Sequence, residues 1–394
     1  MTMAMMCAVF MNKDSPILIT GVSGLVGSAI AEALISQGYT NILGSYHSRK
    51  PDKSSISPHS SLTTHQADLR SQKSVSDLFF DTKPEYVFLA AAKVGGIMAN
   101  TTYRAEFIHD NLLITDNVIH QSYLFGVKKL LNLGSTCIYP RECPQPMQEE
   151  HLLTAPLEYT NEPYAIAKIT GLKLCESYNL QYGTNFLSAM PTNLYGPGDN
   201  FDLEAAHVLP ALMRRMHLAK CLERKDWDAI KADLNKRPID GVDGSAHDEA
   251  ILEVLQKHGV TSSLPTDLRP LTSVSIWGTG SPLREFLYSE DMAEACLFIM
   301  ENIDFSDLDR GKREVRNTHI NIGSGEEISI LDLAHLVKQT VGFQGELEFD
   351  SSKPDGTPRK LTDTSKLHSL GWQHKISLDQ GLEKLYAWYL QDQE

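Results

Sequence analysis

Tyr164 and Lys168 stand four residues apart in NEPYAIAK, a spacing that puts both side chains on one face of a helix. An ammonium beside a phenol favours the phenolate, lowers a pKa of about 10 and makes tyrosine a usable proton donor near neutrality. Ser135, in LNLGSTCIYP, follows an apolar run stopped by Gly134. It should therefore emerge where a buried strand opens onto a loop, within hydrogen-bonding range of the same reacting oxygen. Cys137 comes two residues later. On this stretch alone two readings of the thiol stand: a small buried hydrophobe, or a proton-exchanging group at the ligand end of a sheet.

These residues need a frame to hold them. From Pro16 to about Ser135, strand-like runs (ILIT, NILGSY, YVFLAAA, KKLLNLGS) alternate with helix-like stretches such as SAIAEALISQG and QKSVSDLFFD. Such alternation predicts a Rossmann-type, doubly wound parallel α/β sheet with helices on both faces. The first strand runs into TGVSGLVGS, where Gly21, Ser23, Gly24 and Gly27 form a turn that lets backbone N–H groups at a helix N-terminus approach a pyrophosphate. The second strand ends in HSRK without the acidic residue expected for NAD. Arg49 suits the 2′-phosphate of NADP instead, and Asp68 and Leu69, in QADLR, are placed to border the adenine. The loop RKPDKSSISPHSSLTT should be solvated. A long helix is expected through YAIAKITGLKLCESYNLQYG, with Asn161 as N-cap and Pro163 at its first position.

Past about residue 195 the pattern changes. The expected division is a lead over 1–14, a dinucleotide-binding domain over 15–195 joined by later returning segments, and a smaller α/β substrate domain over 196–394. Within the latter, residues 218–273 read as a charged insertion: two short amphipathic helices about PIDGVDG, forming an appended lobe with a solvated face. The lead MTMAMMCAVFM reads as disordered, with Met11 a candidate natural start.

The bulk numbers narrow the function classes. Of 394 residues, 42% are hydrophobic and 22% charged, as in an ordinary globular protein, and no apolar run approaches a membrane span. A net charge of -14 argues against nucleic-acid binding and obliges any anionic ligand to meet local arginines or lysines. Six cysteines without a CxxC pair fit neither a zinc site nor a disulfide scaffold, so a reducing cytoplasm is expected and no metal.

The glycine turn, the serine at a strand end and YAIAK together resemble the extended short-chain dehydrogenase/reductase family. The longer strings AAAKVGGIMAN, GSTCIYP, MPTNLYGPGDNF, WGTGSPLREFL and KPDGTPRK are similar to its members that act on GDP-4-keto-6-deoxy-D-mannose. That resemblance implies epimerisation at C3 and C5 followed by NADPH-dependent reduction at C4, giving GDP-L-fucose. It assigns Ser135, Tyr164 and Lys168 to reduction, and Cys137 and His207 (in AAHVLP) to the epimerase base and acid. NADP(H) would be held by Gly21, Ser23, Gly24, Gly27, Arg49, Asp68, Leu69, Lys168, Pro191, Asn193, Leu194 and His207. The GDP-sugar would meet Arg215, Trp277, Arg284 and Asp355. A homodimer built on a helical bundle is also implied. Val22 and Ser23 stand where relatives often carry a basic residue, which shifts the NADP preference onto Arg49. A GDP-6-deoxy-4-ketoheptose would need the same catalytic groups, while a non-catalytic nucleotide sensor would not need the serine, tyrosine and lysine intact.

Overall fold

The computed structural model describes residues 11–51, 61–263, 271–311, 313–353 and 355–392. The lead before Met11, residues 52–60 of the solvated loop and residues 264–270 of the insertion lie outside them.

Ile17–Thr20 has every residue buried, as expected of a short apolar strand covered on both faces. It pairs in parallel with Ile42–Tyr46 on one side and Tyr86–Leu89 on the other. Leu62–Gln66 extends the first side; Lys129–Leu133, Phe186–Pro191 and Ile320–Ile322 extend the second, all in parallel. The chain thus builds outward one way, crosses back over its first strand and builds the other way. Ligands of such a doubly wound sheet bind outside the carboxyl ends of the strands, at this reversal. Period-two alternation divides the side chains between two cores. Ile17, Ile19, Tyr86 and Phe88 pack with helices Leu25–Ser36 and Ser289–Asn302, and Leu18, Val87, Leu89 and Leu130 with helices Gln72–Thr82 and Arg104–Leu124.

The strands stop earlier than their apolar runs. Tyr86–Leu89 ends before the three alanines, and Lys129–Leu133 before Gly134, so Ala90–Ala92 and Ser135 form the loops at the ligand end. The helix carrying Tyr164 spans Glu162–Tyr182, which puts Pro163 at its second residue rather than its first. Asn161 occupies the cap position without a side-chain cap; Glu158 instead accepts the N–H groups of Thr160 and Asn161 (2.9 and 3.3 Å).

After Pro191 the chain enters a second unit through Asn193–Tyr195, which pairs with Leu283–Tyr288. That strand also takes Glu327–Ser329 antiparallel and Arg359–Lys360 parallel. A three-stranded sheet of Glu346–Asp350, Leu271–Trp277 and Val260–Ser263 stands beside it. Helix Val208–Arg224 runs through the start of the expected insertion, which then forms helices Trp227–Lys236 and Asp248–Lys257. These do not stand apart as a solvated lobe. Ile230, Leu234, Ile251 and Leu255 share one core with Leu212 and Met216 of the preceding helix and with Leu385 and Tyr389 of the C-terminal helix Leu378–Gln391. One charge of the run is fully buried: Asp233 meets the equally buried Arg214 at 2.8 Å.

Candidate active site

A cleft of about 950 Å³ opens at the reversal, running from the glycine turn past Ser135, Tyr164 and Lys168 to His207. At Gly21 φ is +71°, and a Cβ on Gly27 would fall 2.3 Å from the Gly21 carbonyl oxygen, so close turn-to-helix packing requires glycine at both positions. Gly24 caps helix Leu25–Ser36, whose first N–H groups therefore face the cleft without side-chain caps. Arg49 folds over this turn, its Nη2 donating to the Ser23 carbonyl at 2.8 Å.

At the far end Asp68 is held by Arg70 through two side-chain hydrogen bonds of 2.9 Å. Those bonds bring its pKa down to about 2, so the carboxylate is charged and already neutralised. Leu69 is fixed through its carbonyl by Asn117 (2.9 Å). Arg70 lines the cleft and is a residue the sequence reading passed over, although it stands two residues from Asp68. Pro191, Asn193 and Leu194 form the opposite wall, Asn193 anchored by donation to the Glu285 carbonyl (2.8 Å).

Ser135 begins a single 3-10 turn, Thr136–Ile138, and its Oγ accepts the Cys137 N–H at 3.3 Å. Tyr164 and Lys168 do share a helix face, with Nζ 5.6 Å from the phenol ring centre. Lysine does not lower the phenol here. Nζ donates to the Leu133 carbonyl (2.8 Å), and burial dominates both groups, raising Tyr164 well above the ordinary phenol value and lowering Lys168 to about 8. Tyr164 is thus a protonated donor, packed edge-on against Phe107. Cys137, only 7% exposed, is raised by burial, while the Ser135 hydroxyl and the charges of Lys360 and Lys168 pull it back. His207 holds the cap position of helix Val208–Arg224 and reaches the cleft; crowding by protein lowers its pKa, so the ring is neutral at pH 7.

Five expected residues lie off the wall of this cleft: Cys137, Arg215, Trp277, Arg284 and Asp355. Cys137 instead feels the charge of Lys360, whose strand register pairs it with Arg284. Lys360 escaped the sequence reading because a two-residue strand paired across more than seventy positions leaves no local pattern. Arg284 donates to the Leu283 and Thr357 carbonyls (2.7 and 2.6 Å). Asp355 accepts from the N–H and hydroxyl of Thr279 (2.9 and 2.8 Å), and Trp277 is 55% exposed with Lys353 over its ring. Arg215 donates to the Leu203 carbonyl (3.3 Å), while its Nε is buried without a partner. Among the described residues Glu204, Asp240 and His258 lie close enough to share a cation, but Asp240 is already bound by Lys257 and His258 (2.6 and 2.9 Å). No helix among the described residues is long and apolar enough to cross a membrane.

Sheet, glycine turn and tyrosine–lysine pair define a nicotinamide-dinucleotide enzyme of the short-chain dehydrogenase/reductase type. Residues 17–237 and 250–323 match the model of the NAD dependent epimerase/dehydratase family, and the chain belongs to that family. It is 47% identical over 382 residues to GDP-L-fucose synthase 1 of Arabidopsis thaliana, covering 97% of this chain and 95% of that protein. Among solved structures, a GDP-6-OMe-4-keto-L-xylo-heptose reductase from C. jejuni is 41% identical with a TM-score of 0.84, covering 97% of this chain and 99% of that one. A GDP-mannoheptose C4 reductase from Campylobacter jejuni with NADP bound is 40% identical with a TM-score of 0.77, covering 96% and 99%.

Proposed function

We propose that this chain epimerises GDP-4-keto-6-deoxy-D-mannose at C3 and C5 and then reduces C4 with NADPH, producing GDP-L-fucose. One observation carries the reading: Cys137 is tied by its N–H to Ser135 Oγ (3.3 Å), and Ser135 lines the same cleft as Tyr164 and Lys168, which joins a proton-exchanging thiol to a carbonyl-reducing pair. The C4 ketone acidifies the hydrogens on both neighbouring carbons. Ser135 Oγ and the Tyr164 hydroxyl donate to the C4 oxygen and stabilise the negative charge that develops there. Cys137 removes a carbon-bound proton and His207 returns one to the opposite face. Burial favours the thiol, and the Lys360 and Lys168 charges favour the thiolate, so Cys137 can pass between both forms. His207, lowered by the protein crowded around its ring, gives up an acquired proton readily.

When bound, the reduced dinucleotide supplies the hydride to C4. Tyr164 then gives its proton to the resulting alkoxide, and the Lys168 ammonium offsets the charge left on the phenol. The glycine turn fits the diphosphate, and Arg49, Arg70 and His47 at the adenosine end suit the 2′-phosphate of NADP, Asp68 being neutralised by Arg70. Arg215, Arg284 and Lys360 meet the GDP diphosphate, and the buried, unpartnered Nε of Arg215 is completed by that anion. Trp277 and Asp355 border the same ligand. We assign residues 15–195 chiefly to the dinucleotide and 196–394 chiefly to the sugar nucleotide, in a cytoplasmic homodimer.

The two heptose reductases among the similar structures favour a second reading, the same chemistry on a GDP-6-deoxy-4-ketoheptose. Incubation of each candidate substrate in deuterated water, with and without NADPH, tests both. Deuterium is expected at C3 and C5 of the preferred substrate, with exchange reduced at least about a hundredfold in Cys137→Ser and His207→Gln. Normal exchange in both variants would remove these residues from the reaction.

A further inference from the structure

Asp199 belongs to YGPGDNF, on the loop that leaves the strand Asn193–Tyr195 and ends at His207. Its Oδ1 accepts the Asn200 N–H at 2.7 Å, and Asn200 and Asp202 pin the next turns in the same way (3.0 and 2.8 Å). Oδ2 is different: it is buried and has no hydrogen-bond partner. The residue lines the dinucleotide cleft. Its neighbour Gly198 lies against the second turn of helix Leu25–Ser36, where a Cβ would stand 3.9 Å from Ser28 Oγ. The glycine turn that opens this helix is the diphosphate site. An ionised carboxylate with an orphaned oxygen is doubly disfavoured there, by its missing hydrogen bond and by repulsion from the ligand. A protonated carboxyl avoids both penalties and has a donor to offer.

Building on the dinucleotide reading above, we propose that Asp199 is a positioning residue that holds the dinucleotide as a neutral carboxylic acid, donating from Oδ2 to the diphosphate–ribose segment over the glycine turn. Burial raises its pKa to about 7, partly opposed by the Asn200 N–H. No charged side chain contributes to that shift. The ionisable groups that share this stretch of cleft are Asp202 and His207 on the same loop, Lys93 paired with Asp110, Tyr164 and Lys168 on their helix, and the ion-paired Arg214 and Arg237. An arriving diphosphate raises Asp199 further, so binding above neutrality takes up a proton.

Calorimetric titration with NADPH at about pH 6 and about pH 8, in buffers of different ionisation enthalpy, reads this directly. The wild-type affinity should fall about tenfold between the two, with close to one proton taken up at the higher pH. Asp199→Asn keeps the Oδ1 contact and supplies an amide donor. Its affinity should match the wild type at low pH and fall far less between the two, with close to one proton fewer taken up at the higher pH, while Lys168 and His207 titrate as before. Asp199→Ala should bind weakly throughout. Adenosine 2′,5′-bisphosphate, which lacks the bridging diphosphate and the nicotinamide, should bind all three proteins alike and so reports intact folding. Proton uptake by Asp199→Asn equal to that of the wild type overturns the proposal, as does loss of its NADPH binding while the bisphosphate still binds. Failure of the wild type to bind NADPH overturns the dinucleotide reading instead.

Discussion

Lys168 shows how a single residue can work against the fold that holds it. Its ammonium is buried among Tyr164, Cys137 and the Leu133 carbonyl, with no carboxylate among the groups that set its pKa of about 8. The group binds protons less tightly in the folded than in the unfolded protein. Below that value both states are protonated and the full penalty applies; between it and the ordinary lysine pKa only the unfolded state is charged, so stability rises with pH and the penalty fades. The shift corresponds to a cost on the order of 3 kcal/mol at neutral pH. Lys168→Met should therefore resist urea better than the wild type at pH 7, by about 1–3 kcal/mol, with the advantage shrinking as pH rises towards about 10. NADPH oxidation by the same variant should fall at least about a hundredfold. A variant less stable than the wild type would mean that the bond to Leu133 outweighs the desolvation of the charge.

Between elements, the pair Arg214–Asp233 fastens helix Trp227–Lys236 to helix Val208–Arg224, with Tyr389 of the C-terminal helix donating to the same carboxylate. Arg214 also donates to the carbonyls of Phe201 and Arg237, so it links the inserted stretch to the loop that ends at His207. Removing one partner leaves the other charge buried and unpaired. Asp233→Ala should lose about 3–5 kcal/mol in urea unfolding, whereas the apolar pair Arg214→Met with Asp233→Leu should recover most of it. Recovery no better than the single change would mean that the network, rather than the lone charge, sets the cost. The same pair marks the limit of what the sequence makes legible. The glycine turn, the strand-end serine and the tyrosine–lysine spacing are each fixed by a few consecutive residues, and each lies where local physics puts it. In RR at 214 and 215, by contrast, nothing local distinguishes the arginine neutralised by Asp233 from the one left with an orphaned Nε. That difference arises from which helix folds against which. Lys360 and the buried Asp233 were missed for the same reason, since each acquires its surroundings from chain far away in sequence.

For the whole molecule, the helices Arg104–Leu124 and Glu162–Tyr182 pack along each other on one face of the sheet, and apolar residues remain on them facing outward. Leu124, Leu180 and Tyr182 are each about half exposed, and the exposed Ile166 stands between Tyr164 and Lys168 in the sequence of the same helix. Two helices of twenty-one residues each can form a four-helix bundle with the same two from a second copy, related by a twofold axis. This is the homodimer proposed above. Its consequence reaches the site, because the helix that would be clamped from outside carries Tyr164 and Lys168 on its inner face. Charges introduced as Ile166→Glu with Leu180→Glu should turn a dimer into a monomer in sedimentation velocity, lower the melting temperature by several degrees and weaken catalysis through a looser Tyr164–Lys168 helix. Adding ligand should restore part of the lost melting temperature, since binding selects the folded helix by mass action. A doubly substituted protein that still sediments as a dimer would place the contact on another face and leave this apolar surface without that role.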